Sequence, residues 1–164
     1  MMKIFAAALS ALLIVPAAKA QEEPSLYKEF GNWGVYRYSD YCRAIAQYET
    51  STVTIAYDSR KDLAVIHMRS RELARFTDEQ VYPFAIVLLQ NGKSDYSLGN
   101  VDFTVINKPD FVGAMASLKA STLFDALARS TALALAYQDQ KIEAVALGDV
   151  APVLESLQRC DQNR

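Results

Sequence analysis

One histidine, His67, and two cysteines, Cys42 and Cys160, are the residues of this 164-residue chain with the most chemistry open to them. Any serine or cysteine triad built on imidazole must use His67. It falls inside Leu63-Ala64-Val65-Ile66-His67-Met68, a strand-like run, and no Gly-x-Ser-x-Gly elbow accompanies it. The expected role is structural: a strand histidine at the sheet surface or hydrogen-bonded near the core. With one histidine, no Cys-x-x-Cys pair and no Asp-x-Asp-x-Asp-Gly loop, local spacing assembles neither a zinc nor a calcium site. Asp58 and Asp62 flank a turn and are expected to be solvated. Six glycines across the whole chain leave little room for a phosphate-cradling loop. Two carboxylates brought together by the fold could hydrolyse a glycoside, but only their separation in space would show it. The expectation is therefore no catalytic constellation, no metal and no cofactor.

Binding chemistry is better represented. Tyr27, Trp33, Tyr36, Tyr38, Tyr41, Tyr48 and Tyr57 crowd the early part of the chain, and such side chains anchor recognition surfaces. They are also good strand formers, which is the competing explanation. Alternation puts Tyr36 and Tyr38 on one face with Gly34, and Trp33 and Val35 on the other. Trp33 then belongs to the core, and Tyr36, Tyr38 and Tyr41 are the candidate contact residues. The stretch from Arg69 to Arg75 is the one small basic cluster, so Arg71 and Arg75 are candidates for an anionic partner. Glu72, Asp78 and Glu79 lie close by, and a solvated, self-neutralising loop would explain the same residues.

What positions these groups begins after a secretory signal. Lys3, an apolar run from Ile4 to Val15, Pro16 and the small-x-small sequence Ala18-Lys19-Ala20 predict cleavage before Gln21. Residues 1–20 are then a signal peptide, 21–29 a flexible leader containing Pro24, and 30–164 a single β-rich domain. Export to the periplasm or beyond places the two cysteines where thiols oxidise, so Cys42 and Cys160 are expected to form one long-range disulfide. The whole chain carries 17 Lys and Arg against 19 Asp and Glu; loss of Lys3 and Lys19 leaves 15 against 19, a formal charge of −4. That balance argues against nucleic acid, whose binding needs clustered cations to displace counterions. After the signal no apolar run approaches the ~20 residues of a membrane-spanning helix.

Periodicity supplies the elements. Trp33 to Tyr38 and Cys42 to Tyr48 predict two short strands, and Thr52 to Arg69 a hairpin that turns at Asp58 to Asp62. Arg69 to Gln80 loses alternation and predicts a surface loop or helical turn anchored by Leu73 and Phe76. Val81 to Gln90 is apolar on both faces and predicts a central strand, with Pro83 marking its first residues. Asn91-Gly92 is the strongest turn signal, followed by strands over Ser94 to Leu98 and Val101 to Ile106. Thr122 with Asp125 predicts a helix start. Thr131 to Tyr137 alternates Leu133, Leu135 and Tyr137 with Ala132, Ala134 and Ala136, an alanine face on which a helix is expected to lie. After a strand over Ile142 to Leu147, Val150, Val153, Leu154 and Leu157 make the stripe of a final helix through Cys160. The fold class is mainly β (α+β): an antiparallel sheet or sandwich with two helices, the last tied by disulfide to an early strand.

Phe30-Gly31-Asn32-Trp33-Gly34-Val35, then Cys42-Arg43-Ala44, and Val145-Ala146-Leu147-Gly148-Asp149 leading into Leu154-Glu155-Ser156-Leu157-Gln158-Arg159-Cys160, resemble small exported proteobacterial proteins of the invasion-associated locus B type. Members commonly carry Gly-Asp-Trp where this chain has Gly31-Asn32-Trp33, and Gly-Ser where it has Gly148-Asp149. The resemblance implies an exported β-rich domain whose terminal helix is bridged back to an early strand, with no established catalytic residues. The expected function is a non-enzymatic interaction domain with a protein or cell-envelope partner. Two alternatives are an inhibitor of a secreted lysozyme or protease that acts through Arg69 to Gln80, and a carrier with a cavity for a small apolar ligand.

Overall fold

The computed structural model describes residues 23–90 and 93–163. The segment expected to be a signal peptide, residues 1–20, and the expected Asn91-Gly92 turn lie outside the described residues. Along the chain come strands β1 (Ser25–Phe30), β2 (Trp33–Arg37), β3 (Cys42–Gln47), β4 (Ser51–Asp58), β5 (Leu63–Ser70) and β6 (Val81–Gln90). Then follow β7 (Lys93–Lys108), β8 (Phe111–Lys119), helix α1 (Ala120–Leu127), β9 (Ala132–Tyr137), β10 (Gln140–Ala146) and helix α2 (Ala151–Gln162). Short 3-10 turns at Ser59–Lys61 and Arg71–Arg75 bracket β5.

The strands form one antiparallel sheet in the order β1-β2-β3-β4-β5-β8-β7-β6-β9-β10. Strict alternation decides its shape. Val35, Ala44, Val53, Ile55, Ile66, Phe84, Ile86, Phe103, Val105, Leu133 and Leu135 all point to one side and are buried. A sheet this wide with one apolar face removes that face from water by rolling it inward. Strand twist supplies the curvature. The roll brings the two ends of the sheet together, where the Trp33 Nε1 donates to the Leu147 carbonyl at 2.9 Å across 114 residues of sequence. Trp33, Phe84, Leu133 and Leu135 fill the interior, each 2 % exposed or less.

Helix α2 docks inside the roll against β2 and β3 through Val153, Leu154 and Leu157. The disulfide joins Cys42 on β3 to Cys160 on α2, with Cα atoms 6.0 Å apart at a sequence separation of 118. Helix α1 packs on β8 and β5. Neither helix lies on the alanine face. Ala132, Ala134 and Ala136 point outward and are half-buried, because Leu133 and Leu135 remove more apolar area per residue and take the interior.

Four further differences have physical causes. The polar leader is ordered from Ser25 onward: β1 pairs with β2 as an edge strand, and its polarity reflects that exposed position. The strands expected on either side of residues 99 and 100 are one bent strand, β7, with Gly99 at φ +78° and a register irregularity opposite it in β6. A bulge lets pairing continue through the bend. Helix α1 begins two residues before Thr122 and takes its cap from elsewhere. Asp62 accepts from the Ser121 N–H and hydroxyl, both at 2.9 Å, and its carbonyl accepts from the Ala120 N–H at 2.8 Å. Finally, β8 has no counterpart among the expected strands, yet it joins the two halves of the sheet by pairing with β5 and β7.

Candidate functional site

Rolling the apolar side inward leaves the outer face of β3, β4, β5, β8 and β7 without a covering layer, and the registers fix what stands on it. One row across the strands reads Ile45, Thr54, His67, Met115, Thr104. A second reads Tyr36, Arg43, Ala56, Val65, Ser117, and a third Thr52, Arg69, Gly113, Ile106. Between them is a groove of about 270 Å³. Its floor is apolar, formed by Ala56, Val65, Ile106 and Met115, and Arg43, His67 and Phe111 stand around it.

Both ends of the groove are built from an aromatic pair and an arginine. At one end the Tyr38 and Tyr41 rings stack at 4.6 Å and 9°. The Arg43 guanidinium lies 5.2 Å from each ring centroid and its Nη2 donates to the Tyr41 hydroxyl at 3.1 Å. At the other end the His67 and Phe111 rings stack at 5.0 Å and 11°. The Arg69 guanidinium sits 4.7 Å from the Phe111 centroid and donates to the Asp110 carbonyl at 3.3 Å. Cation–π contact of this kind holds an arginine in place without neutralising it.

Gly113 makes room for this arrangement. A Cβ at that position would stand 2.6 Å from His67 Nε2, so any side chain would push the imidazole off the sheet. The packed ring pays in polarity: His67 Nε2 is buried with no hydrogen-bond partner, and so is Arg43 Nε. Burial, with Arg43 and then Arg69 adding repulsion, lowers the His67 pKa to about 4. The imidazole is neutral at pH 7, and the formal charge lining the groove is that of Arg43, with Arg69 standing beyond Phe111. No aspartate or glutamate lines the groove.

The five sequence candidates divide. Tyr38 and Tyr41 are at this site, but as the support that orients Arg43. Tyr36 is beside Arg43 in the sheet register and folds over Gly34, where a Cβ would meet its ring at 2.6 Å. Arg71 and Arg75 are elsewhere. They occupy the turn after β5, at the opposite end of the strands from the Tyr38–Tyr41 pair, roughly 20 Å away at strand rise. Arg71 borders a neighbouring polar cleft that Arg69, Phe111, Glu49 and Asp110 also line, and Arg75 lies over Phe76 at 5.2 Å. The acids expected to neutralise these arginines are engaged across the sheet: Asp78 and Glu79 both accept from Lys108 Nζ. Leu73 and Phe76 do anchor the turn, both buried.

Arg43, Phe111 and Met115 are the site residues that alternation along single segments missed. Arg43 was visible as the one charged residue in an otherwise apolar strand, Cys42-Arg43-Ala44-Ile45-Ala46. Among the described residues, no cluster of His, Cys, Asp or Glu is placed to hold a metal ion, and no helix is long and apolar enough to cross a membrane. Compared with known proteins, the chain matches no family model, no curated protein and no solved structure.

Proposed function

We propose that this chain is an exported, non-enzymatic binding domain that holds a protein or envelope partner against the outer face of its sheet, at the groove between Arg43 and Phe111. One observation carries the reading: two buried nitrogens, Arg43 Nε and His67 Nε2, lack partners beside an apolar floor. Buried polar groups are almost always satisfied, and Arg43 lines the groove, so a ligand seated there is placed to supply its acceptor, while His67 Nε2 packs on Gly113.

Other features support binding over turnover. His67 is neutral and hydrogen-bonds to no nucleophile or carboxylate in the described chain, whereas a general base needs such a partner within hydrogen-bond reach. The filled interior favours recognition at the surface over carriage of an apolar molecule inside. The disulfide between β3 and α2 supports export, because such bonds persist in oxidising compartments.

Val65→Arg, which fills the groove floor, tests the reading against Ala134→Arg on the far outward face. Tagged mature protein and both variants are used to capture partners from envelope extract. The reading requires that capture be lost with Val65→Arg and kept with Ala134→Arg. Equal capture by both variants, or turnover of an ester, peptide, glycan or phosphate by the purified protein, would overturn it.

A further inference from the structure

Resting on that reading, we infer that the groove recognises an extended acidic peptide in which two carboxylates flank a short apolar stretch, one carboxylate held by Arg43 and the other by Arg69.

The charge pattern selects an anion. Arg43 lines the groove with no carboxylate beside it, and Arg69 stands just beyond, over Phe111, on the border with a polar cleft that Glu49 and Asp110 also line. A guanidinium is a standing cation. The Arg43 Nη2 is engaged by Tyr41 while the buried Nε–H has no acceptor. A carboxylate approaching from the groove side gives that donor its acceptor, and charge-assisted bonds of this kind are about twice as strong as neutral ones. The neutral His67 adds no charge of its own.

The spacing selects a peptide over a small acid. Arg43 is on β3 and Arg69 on β5, two strand spacings across and four residues along the register, which places their backbones about 16 Å apart. A single carboxylate on a small body engages one of them. Five residues of extended chain span that distance. The volume between is about 270 Å³, under twice the ~150 Å³ of an engineered cavity that takes up benzene, so it accommodates one or two apolar side chains. Ala56, Val65, Ile106 and Met115 give those side chains an apolar floor.

The probe is acetyl-Glu-Thr-Phe-Thr-Glu-amide, whose two glutamates and phenylalanine share one face of an extended chain, titrated into isotope-labelled mature protein and followed by the amide shifts of β3, β5 and β8. Controls are the peptide with glutamine at both ends, the peptide with glutamine at one end, and free 3-phenylpropanoate. The expected result is binding at least tenfold tighter for the di-glutamate peptide than for the di-glutamine peptide or the free acid, with the single-glutamine peptide between them. Affinity falls as salt rises. Arg43→Gln and Arg69→Gln each weaken binding about tenfold, and Arg71→Gln leaves it unchanged, with Trp33 emission checking that each variant is folded. Equal binding of the di-glutamate and di-glutamine peptides overturns the inference, as does indifference to Arg43→Gln. Free 3-phenylpropanoate binding as tightly as the peptide also overturns it, in favour of a small-acid ligand. If no peptide binds while Val65→Arg still abolishes partner capture, the acidic-peptide chemistry fails and the outer-face reading stands.

Discussion

Replacing Gly113 by alanine tests the geometry on which the groove depends. Alanine is ordinarily the better strand residue: glycine in a strand costs about 0.5 to 1 kcal/mol relative to it, through the backbone entropy lost on folding. Gly113 has an unexceptional φ, so no left-handed strain opposes the change. Contacts reverse the sign. The new methyl would stand 2.6 Å from His67 Nε2, 3.0 Å from the Met68 carbonyl oxygen and 3.3 Å from Phe111 Cε1. The first distance is prohibitive and the imidazole has to leave, breaking its stack on Phe111; overpacking of this kind costs about 1 to 3 kcal/mol. For a domain of this size that lowers Tm by roughly 4 to 12 °C. The decisive measurement is a double-mutant cycle with His67→Ala. Removing the imidazole removes the shortest contact and leaves the approaches to the Met68 carbonyl and Phe111 Cε1, so Gly113→Ala in that background is expected within about 0.5 kcal/mol of neutral, a coupling of at least about 0.5 kcal/mol. Urea unfolding of the four proteins measures it. Additive effects, or a Gly113→Ala protein more stable than wild type, would mean that His67 does not rest on Gly113 and that the groove wall is misplaced.

Three further predictions concern the frame and the ring. The Cys42–Cys160 bond closes a loop of 118 residues, worth about 4.9 kcal/mol by the chain-entropy relation. Cys42→Ala with Cys160→Ala should therefore lower the urea midpoint by about 2 M at a slope near 2 kcal/mol/M, and a shift under 0.5 M would show that α2 docks without it. Asp62→Ala removes the carboxylate that accepts from the Ser121 N–H and hydroxyl, at a cost of about 1 kcal/mol. Asp62→Asn, which keeps an acceptor and tolerates the observed φ of +46°, should recover at least half, and equal losses would contradict capping. His67 has a folded pKa of about 4 against 6.5 when unperturbed. Between those values the unfolded chain binds the extra proton, so this contribution to stability is complete above pH 6.5 and disappears as pH falls toward 4. It amounts to about 3 kcal/mol, and the same window should vanish in His67→Gln. As the sole histidine, its ring resonances report the midpoint directly, and a midpoint at or above 6 would refute its burial.

Much of the frame was legible because single-residue rules governed it. Two cysteines have one pairing available within the chain. The alternation of Val53 and Ile55, and the spacing of Val153, Leu154 and Leu157, mark core positions that are buried. The α1 cap was not legible, since Asp62 is distant in sequence and reaches Ser121 only through the pairing of β5 with β8. Arg43 could be read as charged, but whether it stood among acids or alone depended on three neighbouring strands.

The least legible strand and the site have one cause. In β8 the buried positions are the small ones, Gly113, Ala114 and Ala116, while Phe111 is half-buried on the outer side and Met115 is 38 % exposed. That inverts the hydropathy by which a strand of a one-faced sheet is recognised; β8 packs against the Arg71–Arg75 turn and α1, and small residues let such neighbours approach closely. Large apolar side chains then point to water, where hydration makes them costly unless something covers them. Phe111 is covered by His67 and Arg69; Met115, with Val65 and Ile106, is left as groove floor. A sequence in which Met115 and Ile106 were serine would have the same core and the same roll, but only the arginines would be left to hold a partner. The substitution Met115→Ser should therefore leave Tm within about 2 °C, as an outward position away from caps and core does, and still weaken partner capture.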